Sequence, residues 1–336
     1  NSRTVSPLSR RVTPPRNHPH ARRVQAGEIS STGSPVAARS ASAGDGVCGM
    51  GSDAVVARAA LHMWEEPCIS GARGSGAVFF SGCNLRCVFC QNTQISAERF
   101  GARVSAAELA DIFRRLTAQG AHNINLVTPT HFVPAILAAL RLYRPPVPVV
   151  YNCGGYESVG TLRALEGAVD IYLPDFKYAL TDPAARYSGA ADYPETARAA
   201  LREMARQMGE CVYGSDGLMQ RGMIVRHLIL PENTRNSIAV LDTLAAEFPQ
   251  YPVSLMAQYT PCGRASEFRE LNRRITRREY EKVQAHLFAL GLDGFVQARS
   301  ASGTQYIPAF DLEGVYSNEK TSIDQQRMGN HEKIHQ

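Results

Sequence analysis

The stretch SGCNLRCVFCQN places three cysteines, Cys83, Cys87 and Cys90, within eight residues. Thiolate clusters of this density hold either zinc or an iron–sulfur centre. A structural zinc site would need a fourth Cys or His from elsewhere in the chain. An iron–sulfur cube held by three cysteines leaves one iron open to a substrate or cofactor. The spacing by itself therefore indicates a metal site and leaves these two kinds open.

The three cysteines directly follow the first of six short apolar runs, which alternate with helical patterns. The runs cover residues 77–80, 124–127, 148–151, 171–173, 223–230 and 253–257. Six strand–helix units with buried strands predict an α/β fold with a parallel sheet, rolled into a partial (β/α)6 TIM-type barrel. Chemistry in such barrels sits at the carboxyl ends of the strands, where the cysteines are expected.

The clearest helical pattern is VSAAELADIFRRLTAQG, which begins near Ser105. Ser105 and Glu108 have the spacing of a capping box, and Gly120 suits the C-terminal cap. The apolar residues between them fall on one helical face. Further helices are expected over residues 131–143, 158–165, 194–208, 238–248 and 277–290.

Composition divides the chain into a barrel domain and two tails. Residues 1–44 hold seven Arg and one acidic residue, a net charge of +6, which leaves −1 for the rest of a chain whose total is +5. This Arg/Ser/Pro-rich segment has few large apolar residues and is expected to be disordered. It resembles an organellar transit peptide, the alternative being an extension without function. Residues 45–316 are expected to form the barrel, and residues 317–336 a polar tail.

Charge and hydropathy exclude several classes of protein. A body with a charge of −1 gives no sign of a nucleic-acid surface. No apolar run reaches the length of a membrane span, and no cleavable apolar leader is visible. Clustered cysteines in a chain of this kind favour a reducing compartment over a disulfide framework. We therefore expect a cytoplasmic protein, or an organellar one if the basic tail directs it.

The cysteine pattern resembles the signature of the radical S-adenosylmethionine (SAM) superfamily, in which spacers of three and two residues separate the cysteines and an aromatic residue precedes the last. Cys83, Cys87, Phe89 and Cys90 match it. The resemblance implies a [4Fe–4S] cluster whose open iron is chelated by SAM. One electron, from a donor such as flavodoxin or ferredoxin, then cleaves SAM to methionine and a 5′-deoxyadenosyl radical that abstracts hydrogen.

A narrower resemblance covers about residues 46–310. The stretches GSGAVFFSGCNLRCVFCQN, NINLVTPTHF, VDIYLPDFKY and VRHLILP look like a branch related to the pyruvate formate-lyase activating enzymes. Activases of that group make a glycyl radical on a partner enzyme, so the resemblance implies such a partner. The alternatives are hydrogen abstraction from a small molecule or another macromolecule, and a non-catalytic metal-binding module.

The resemblance also implies residues that bind SAM. Thr128 and Thr130 stand where activases have a Gly-Gly-Glu stretch, and their hydroxyls or backbone carbonyls are expected to take its place. Asn152 stands where activases have an Asp. Tyr259, next to Gln258, stands where they have a His. A second interpretation is that Thr130 caps the following helix and that Asn152 only belongs to a turn.

Three charged residues complete the SAM site that the resemblance implies. Asp175 and Lys177 match an Asp and a Lys two residues apart, and Arg226 matches the Arg that meets the SAM carboxylate. A guanidinium suits a carboxylate because it can bond in a bidentate manner. The alternative is that all three form structural ion pairs. Glu65 and Glu66 are interpreted as a solvated edge or docking surface rather than a catalytic pair.

Overall fold

The computed structural model describes residues 8–12, 53–297 and 308–316. The strands in these ranges are β1 (Leu8–Val12), β2 (Ala54–His62), β3 (Ser75–Phe80), β4 (Ala102–Val104), β5 (Ile124–Val127), β6 (Val149–Cys153), β7 (Ile171–Pro174), β8 (Val212–Tyr213), β9 (Met219–Met223), β10 (Val225–Leu228), β11 (Val253–Met256) and β12 (Gly294–Gln297). The α-helices are α1 (Pro67–Ser70), α2 (Thr93–Ser96), α3 (Ala106–Ala118), α4 (Val133–Leu142), α5 (Val159–Ala164), α6 (Thr181–Ser188), α7 (Tyr193–Met208), α8 (Thr234–Glu247) and α9 (Arg277–Ala289).

The parallel strands follow one another around a partial barrel. Strands β3, β5, β6 and β7 pair in parallel in that order, and β10, β11 and β12 do the same. A parallel bridge between Asp175 and Arg226 joins the two groups at β7 and β10. At least one helix follows each of the six predicted strands. The predicted α/β class and partial TIM-type barrel are confirmed.

Several strands of the barrel region were not predicted, among them β2, β4 and β12. Residues 56–62 of β2 run antiparallel to β3 over the whole length of β3, and β4 pairs with the other edge of β2. Strand β12 adds a seventh parallel strand beside β11. Strand β2 has the sequence AVVARAALH, and its alanines carry no strand signal because Ala is the strongest helix former. Strand β12 is only four residues long and begins with Gly.

Strand β1 lies inside the segment that was predicted to be disordered. Residues Leu8–Val12 pair antiparallel with β12. An exposed sheet edge offers backbone donors and acceptors to any extended chain, so this pairing needs no apolar side chains. These five residues depart from the prediction, whereas the rest of residues 1–44 and the predicted tail 317–336 lie outside the described residues.

Helix α3 shows why the predicted helices form where they do. The backbone N–H of Ser105 donates to the Glu108 carboxylate at 2.9 Å, and the N–H of Glu108 donates to the Ser105 hydroxyl at 3.3 Å. This capping box satisfies two N–H groups at the start of the helix. Gly120 follows the helix with φ +86°, a left-handed conformation that Gly adopts without strain. The buried face of α3 packs with β3 and β5.

The interior of the barrel has an apolar floor. Residues of β6, β7, β9–β10 and β12 pack there against Cys68 and Ile69 of α1, which lies in the connection between β2 and β3. This connection sits at the amino end of β3, opposite the face where the cysteines lie, because His62 pairs with Ser75. Helix α1 therefore closes the bottom of the barrel. No helix in the described part of the chain is long and apolar enough to cross a membrane.

Candidate cluster and cofactor site

The three cysteines lie in one loop at the carboxyl end of β3. Neighbouring elements fasten this loop at Val88. The N–H of Val88 donates to the carbonyl of Tyr187 in α6 at 2.8 Å, and its carbonyl accepts from the N–H of Arg264 at 2.7 Å. The loop is thus held between α6 and the segment after β11, which fixes the positions of the cysteines.

Each cysteine sulfur has a polar neighbour. The N–H of Leu85 lies 3.4 Å from Cys83 Sγ, and the hydroxyl of Ser188 donates to Cys87 Sγ at 3.0 Å. The Cys90 Sγ and the Ser96 hydroxyl are 3.3 Å apart. Hydrogen bonds to ligand sulfurs stabilise thiolates and tune the potential of an iron–sulfur cluster.

The electrostatics of the loop disfavour free thiolates. Burial, followed by the neighbouring thiols Cys87 and Cys90, raises the pKa of Cys83 to about 12. Burial also raises the pKa of Cys87, while Lys177 acts in the opposite direction. Metal ligation deprotonates such thiols because the cationic metal compensates the buried charge. The donor set therefore suits a metal centre that supplies positive charge.

A single ion and a cluster differ in how far apart they hold the ligand sulfurs. Within the described ranges, no three His, Cys, Asp or Glu side chains form a group that would hold a metal ion. Four sulfurs around one zinc lie about 3.8 Å apart, since each Zn–S bond is about 2.3 Å. In a cube each thiolate binds a different iron, so the sulfurs stand farther apart. The geometry of the loop leaves both kinds of metal site open.

Four of the predicted SAM-binding residues meet beneath this loop. Arg226 Nε donates to Asp175 Oδ1 at 2.9 Å, and Arg226 Nη2 donates to Asn152 Oδ1 at 2.6 Å. Lys177 Nζ pairs with Asp175 Oδ2. Burial raises the pKa of Asp175, but Arg226 and Lys177 outweigh it and hold the pKa below its usual value. Asn152 lies within β6 and not in a turn.

Lys177 connects this ion-pair group to the cysteines. Burial lowers the pKa of Lys177, but Asp175 and Cys87 together raise it above its ordinary value, so the ammonium stays charged. The ion pairs of the alternative interpretation are thus present. They occupy part of the donor capacity of Lys177 and Arg226, which have three and five N–H donors. Their assignment to SAM stays a prediction.

Glu65 and Glu66 are not a solvated edge. Glu65 is only 9% exposed and Glu66 only 2%. Strand β2, which was not predicted, leads into the turn before α1, and this turn lies inside the barrel. Glu65 Oε2 accepts from Arg226 Nη1 at 3.2 Å. Glu65 Oε1 accepts from Asn125 Nδ2 at 3.0 Å and from Asn152 Nδ2 at 3.2 Å. The prediction of a docking surface is therefore wrong, and Glu65 belongs to the polar interior.

Some polar atoms of this interior have no protein partner. Glu66 Oε2, Asn125 Oδ1 and Ser254 Oγ are buried without a hydrogen bond among the described residues. Burial raises the pKa of Glu66, Arg226 opposes the shift, and Glu65 adds to it. Glu66 thus differs from Glu65 beside it, whose carboxylate pairs with Arg226.

The two predicted threonines lie after β5, at the carboxyl end of the sheet. Thr128 has φ +57°, an unusual conformation for a β-branched residue, and its N–H donates to the Asn152 carbonyl at 2.8 Å. The Thr130 hydroxyl donates to Glu157 Oε1 at 2.8 Å, so it does not cap the following helix. The structure thus brings Thr128 next to Asn152, and the assignment of both residues to a SAM site stays a prediction.

Glu157 is a site residue that the sequence analysis missed. It is buried, and its second oxygen accepts from the Tyr151 hydroxyl at 3.0 Å. Burial raises its pKa to about 6, although hydrogen bonds from Thr130 and Tyr151 act in the opposite direction. The available signal was an acid in Gly-Gly-Tyr-Glu immediately after a strand, a place where barrels carry functional residues.

The aromatic residues of the site pack against each other. The rings of Phe89 and Tyr259 are 6.2 Å apart in an edge-to-face arrangement. The Tyr259 hydroxyl donates to the Leu271 carbonyl at 2.7 Å. Tyr259 is therefore placed beside the cysteine loop, with its hydroxyl already bonded to protein. His131 Nε2 is buried without a hydrogen bond to any described residue, and burial lowers the pKa of His131 to about 4.

Comparison with known proteins identifies the domain. Residues 77–218 match the family model described as Radical SAM superfamily, which supports a radical SAM domain over these residues. Members of this superfamily use a [4Fe–4S] cluster and SAM, which are thus the cofactors of the domain. The matched residues include the cysteine loop, Asn152, Asp175 and Lys177, but end before Arg226.

Among the relatives is uncharacterized protein MJ0674 of Methanocaldococcus jannaschii, 30% identical over 233 residues, which span 66% of this chain and 64% of that protein. The chain thus covers less than two thirds of this relative. Among solved structures, SuiB of Streptococcus suis bound to precursor peptide SuiA is similar at 12% identity and TM-score 0.42, over 64% of this chain and 46% of SuiB. Methylornithine synthase (PylB) is similar at 16% identity and TM-score 0.43, over 69% of this chain and 63% of PylB.

Proposed function

We propose that the chain is a radical SAM enzyme that abstracts a hydrogen atom from a glycine of a partner enzyme. The observation that carries the radical chemistry is the position of Cys83, Cys87 and Cys90 in one fastened loop at the carboxyl end of β3, inside the matched domain. The glycine target is supported by the four sequence stretches that resemble activating enzymes. A radical SAM enzyme acting on a small molecule or another macromolecule is the competing proposal.

The residues of the chain have distinct tasks in this proposal. When bound, the cluster would supply one electron for the reductive cleavage of SAM, and SAM would supply the radical that abstracts hydrogen. Cys83, Cys87 and Cys90 hold the cluster. Lys177 places a positive charge beside Cys87. Phe89 and Tyr259 form an apolar wall beside the loop, which restricts water around it.

The sheet also supports a macromolecular substrate. Strands β4 and β2 form one edge of the barrel and β1 follows β12 at the other. Among the described strands, no pairing joins these two edges. A barrel that is open at one side gives a protein loop a lateral route to the carboxyl ends of the strands. A closed barrel would restrict such a substrate to its mouth.

The radical chemistry is tested by replacing the cysteines. We expect Cys83→Ala, Cys87→Ala and Cys90→Ala each to abolish both the cluster and SAM cleavage, because three thiolates already leave one iron open and none is spare. Iron, sulfide and 5′-deoxyadenosine are measured on anaerobically reconstituted protein. Cys211→Ala is the matched control, since this cysteine lies outside the loop and near Met223. A single loop variant with a full cube and normal cleavage would remove that cysteine from the ligand set.

The glycine target is tested with candidate partners. The reduced enzyme, SAM and a glycyl radical enzyme are mixed, and electron paramagnetic resonance records any protein radical. The expected signal is a doublet that collapses when the target glycine is deuterated at Cα. SAM cleavage without a protein radical for any partner would favour a small molecule as substrate. Protein that binds metal but does not cleave SAM would favour the non-catalytic module.

A further inference from the structure

The turn between β2 and α1 places one carboxylate in the centre of the polar interior. Glu65, Arg226 and Asn152 form a closed ring of three hydrogen bonds. Glu65 Oε2 accepts from Arg226 Nη1 at 3.2 Å, Arg226 Nη2 donates to Asn152 Oδ1 at 2.6 Å, and Asn152 Nδ2 donates to Glu65 Oε1 at 3.2 Å. The ring joins a strand turn from outside the six units to two strands of the barrel.

We infer that Glu65 is a positioning residue for the SAM site, a role that rests on the proposed function. Arg226 lies between two carboxylates, with Asp175 at Nε and Glu65 at Nη1. These two carboxylates bind different nitrogens and so fix the plane of the Arg226 guanidinium. The ring of hydrogen bonds also fixes the orientation of the Asn152 amide, whose nitrogen points to Glu65. Without Glu65 the guanidinium would keep Asp175 as its single carboxylate anchor.

The role requires a carboxylate and not merely a polar side chain. Every partner of Glu65 in the ring, and also Asn125 at 3.0 Å, presents an N–H donor. A Gln side chain has one acceptor oxygen and one donor nitrogen. In Glu65→Gln one of these contacts would therefore bring two donors together, and the ring could not close.

Glu66 provides a matched control in the neighbouring position. It is as deeply buried as Glu65, but its Oε2 has no hydrogen bond among the described residues. A Gln at position 66 keeps the size of that side chain. Glu66→Gln is therefore expected to leave SAM binding unchanged.

The test is a SAM titration of the reduced, reconstituted enzyme followed by electron paramagnetic resonance. SAM that binds the open iron changes the cluster spectrum, and the midpoint of that change gives the SAM dissociation constant. In Glu65→Gln we expect a midpoint roughly tenfold higher, the size of one lost charge-assisted hydrogen bond, with the same cluster content and final spectrum. A merely unstable variant would lose signal amplitude and keep its midpoint.

Two further variants complete the test. Arg226→Ala is expected to raise the midpoint at least as much as Glu65→Gln. If Arg226→Ala raises the midpoint and Glu65→Gln does not, the inference fails and the proposed function stands. If the wild-type spectrum never responds to SAM, the proposed function itself fails. A lower midpoint in Glu65→Gln also overturns the inference, since Glu65 would then compete with SAM for Arg226. If Glu65→Gln does not fold, Glu65→Asp replaces it, because its side chain is one methylene shorter and keeps the carboxylate. An unchanged midpoint in Glu65→Asp would then overturn the inference.

Discussion

Glu157 is a buried carboxyl group whose two oxygens accept hydrogen bonds from the neutral hydroxyls of Thr130 and Tyr151. Burial raises its pKa from 4.5 to about 6 in the folded protein. The folded state therefore binds this proton more tightly than the unfolded state does. The stabilising contribution of the proton is complete below pH 4.5 and is lost as the pH rises through about 6.

This linkage predicts a pH-dependent effect of Glu157→Gln. The amide cannot ionise, so the variant avoids the cost of burying a charge at higher pH. Between pH 4.5 and pH 7.5 we expect the variant to gain about 2 kcal/mol in unfolding free energy relative to the wild type, as 1.36 kcal/mol per pKa unit implies. Urea unfolding of cluster-free protein at the two pH values measures it. A difference that does not change with pH would mean that Glu157 has an ordinary pKa.

The residues of the site differ in how visible they are in the sequence. Cys83, Cys87 and Cys90 were predictable because their spacing is local and few other structures need it. Glu65 was not, since its partners Asn125, Asn152 and Arg226 are 60, 87 and 161 positions away. Only the packing of β2 against β3 brings its carboxylate to them. An acidic pair beside a Trp has no local pattern that distinguishes an interior from a surface.

At the scale of elements, the strand ends decide where the site residues stand. The loop after β6 passes close to the end of β7 at Gly155, which has φ +78°. A Cβ at Gly155 would collide with the backbone carbonyl of Asp175. Glycine at this position therefore allows β6 and β7 to end side by side, with Asn152 and Asp175 in reach of Arg226.

Gly155→Ala is consequently expected to be strongly destabilising. Gly167 also has φ +78°, but a Cβ there would meet nothing within 4 Å, which makes Gly167→Ala the matched control. The control should lose about 1 kcal/mol from backbone strain alone, and Gly155→Ala about 3 kcal/mol or more because the collision adds to it. Urea unfolding measures both. Equal losses would show that the loop moves away from Asp175 at little cost.

The elements were predictable to the extent that their signals were local. Helix α3 carries its capping box and apolar face within a short stretch, and its bounds followed from them. The antiparallel strand β2 depends on its pairing with β3. Strand β12 is only four residues long, which is too short for a clear sequence pattern. Tertiary pairing, and not intrinsic propensity, makes them strands.

At the scale of the whole molecule, the basic segment is separable from the chemistry. Deletion of residues 1–44 removes strand β1 from the edge of β12 but none of the predicted site residues. We expect the shortened chain to fold, assemble its cluster and cleave SAM at the wild-type rate. Circular dichroism, iron content and 5′-deoxyadenosine formation measure these properties. Loss of the cluster would show that the segment is structural and that the domain boundary at residue 45 is wrong.

The polar ring has a consequence for how this domain can be divided or transplanted. Residues 77–218 carry the family likeness, yet Glu65 precedes them and Arg226 follows them. A gene trimmed to the recognisable segment would encode all three cysteines and neither end of that ion pair. Such a fragment would expose Asn152 and Asp175 on a sheet with no opposite wall. The segment that contains the recognisable motif is thus not an autonomous folding unit. Domain swaps between relatives should have their boundaries outside residues 54–297.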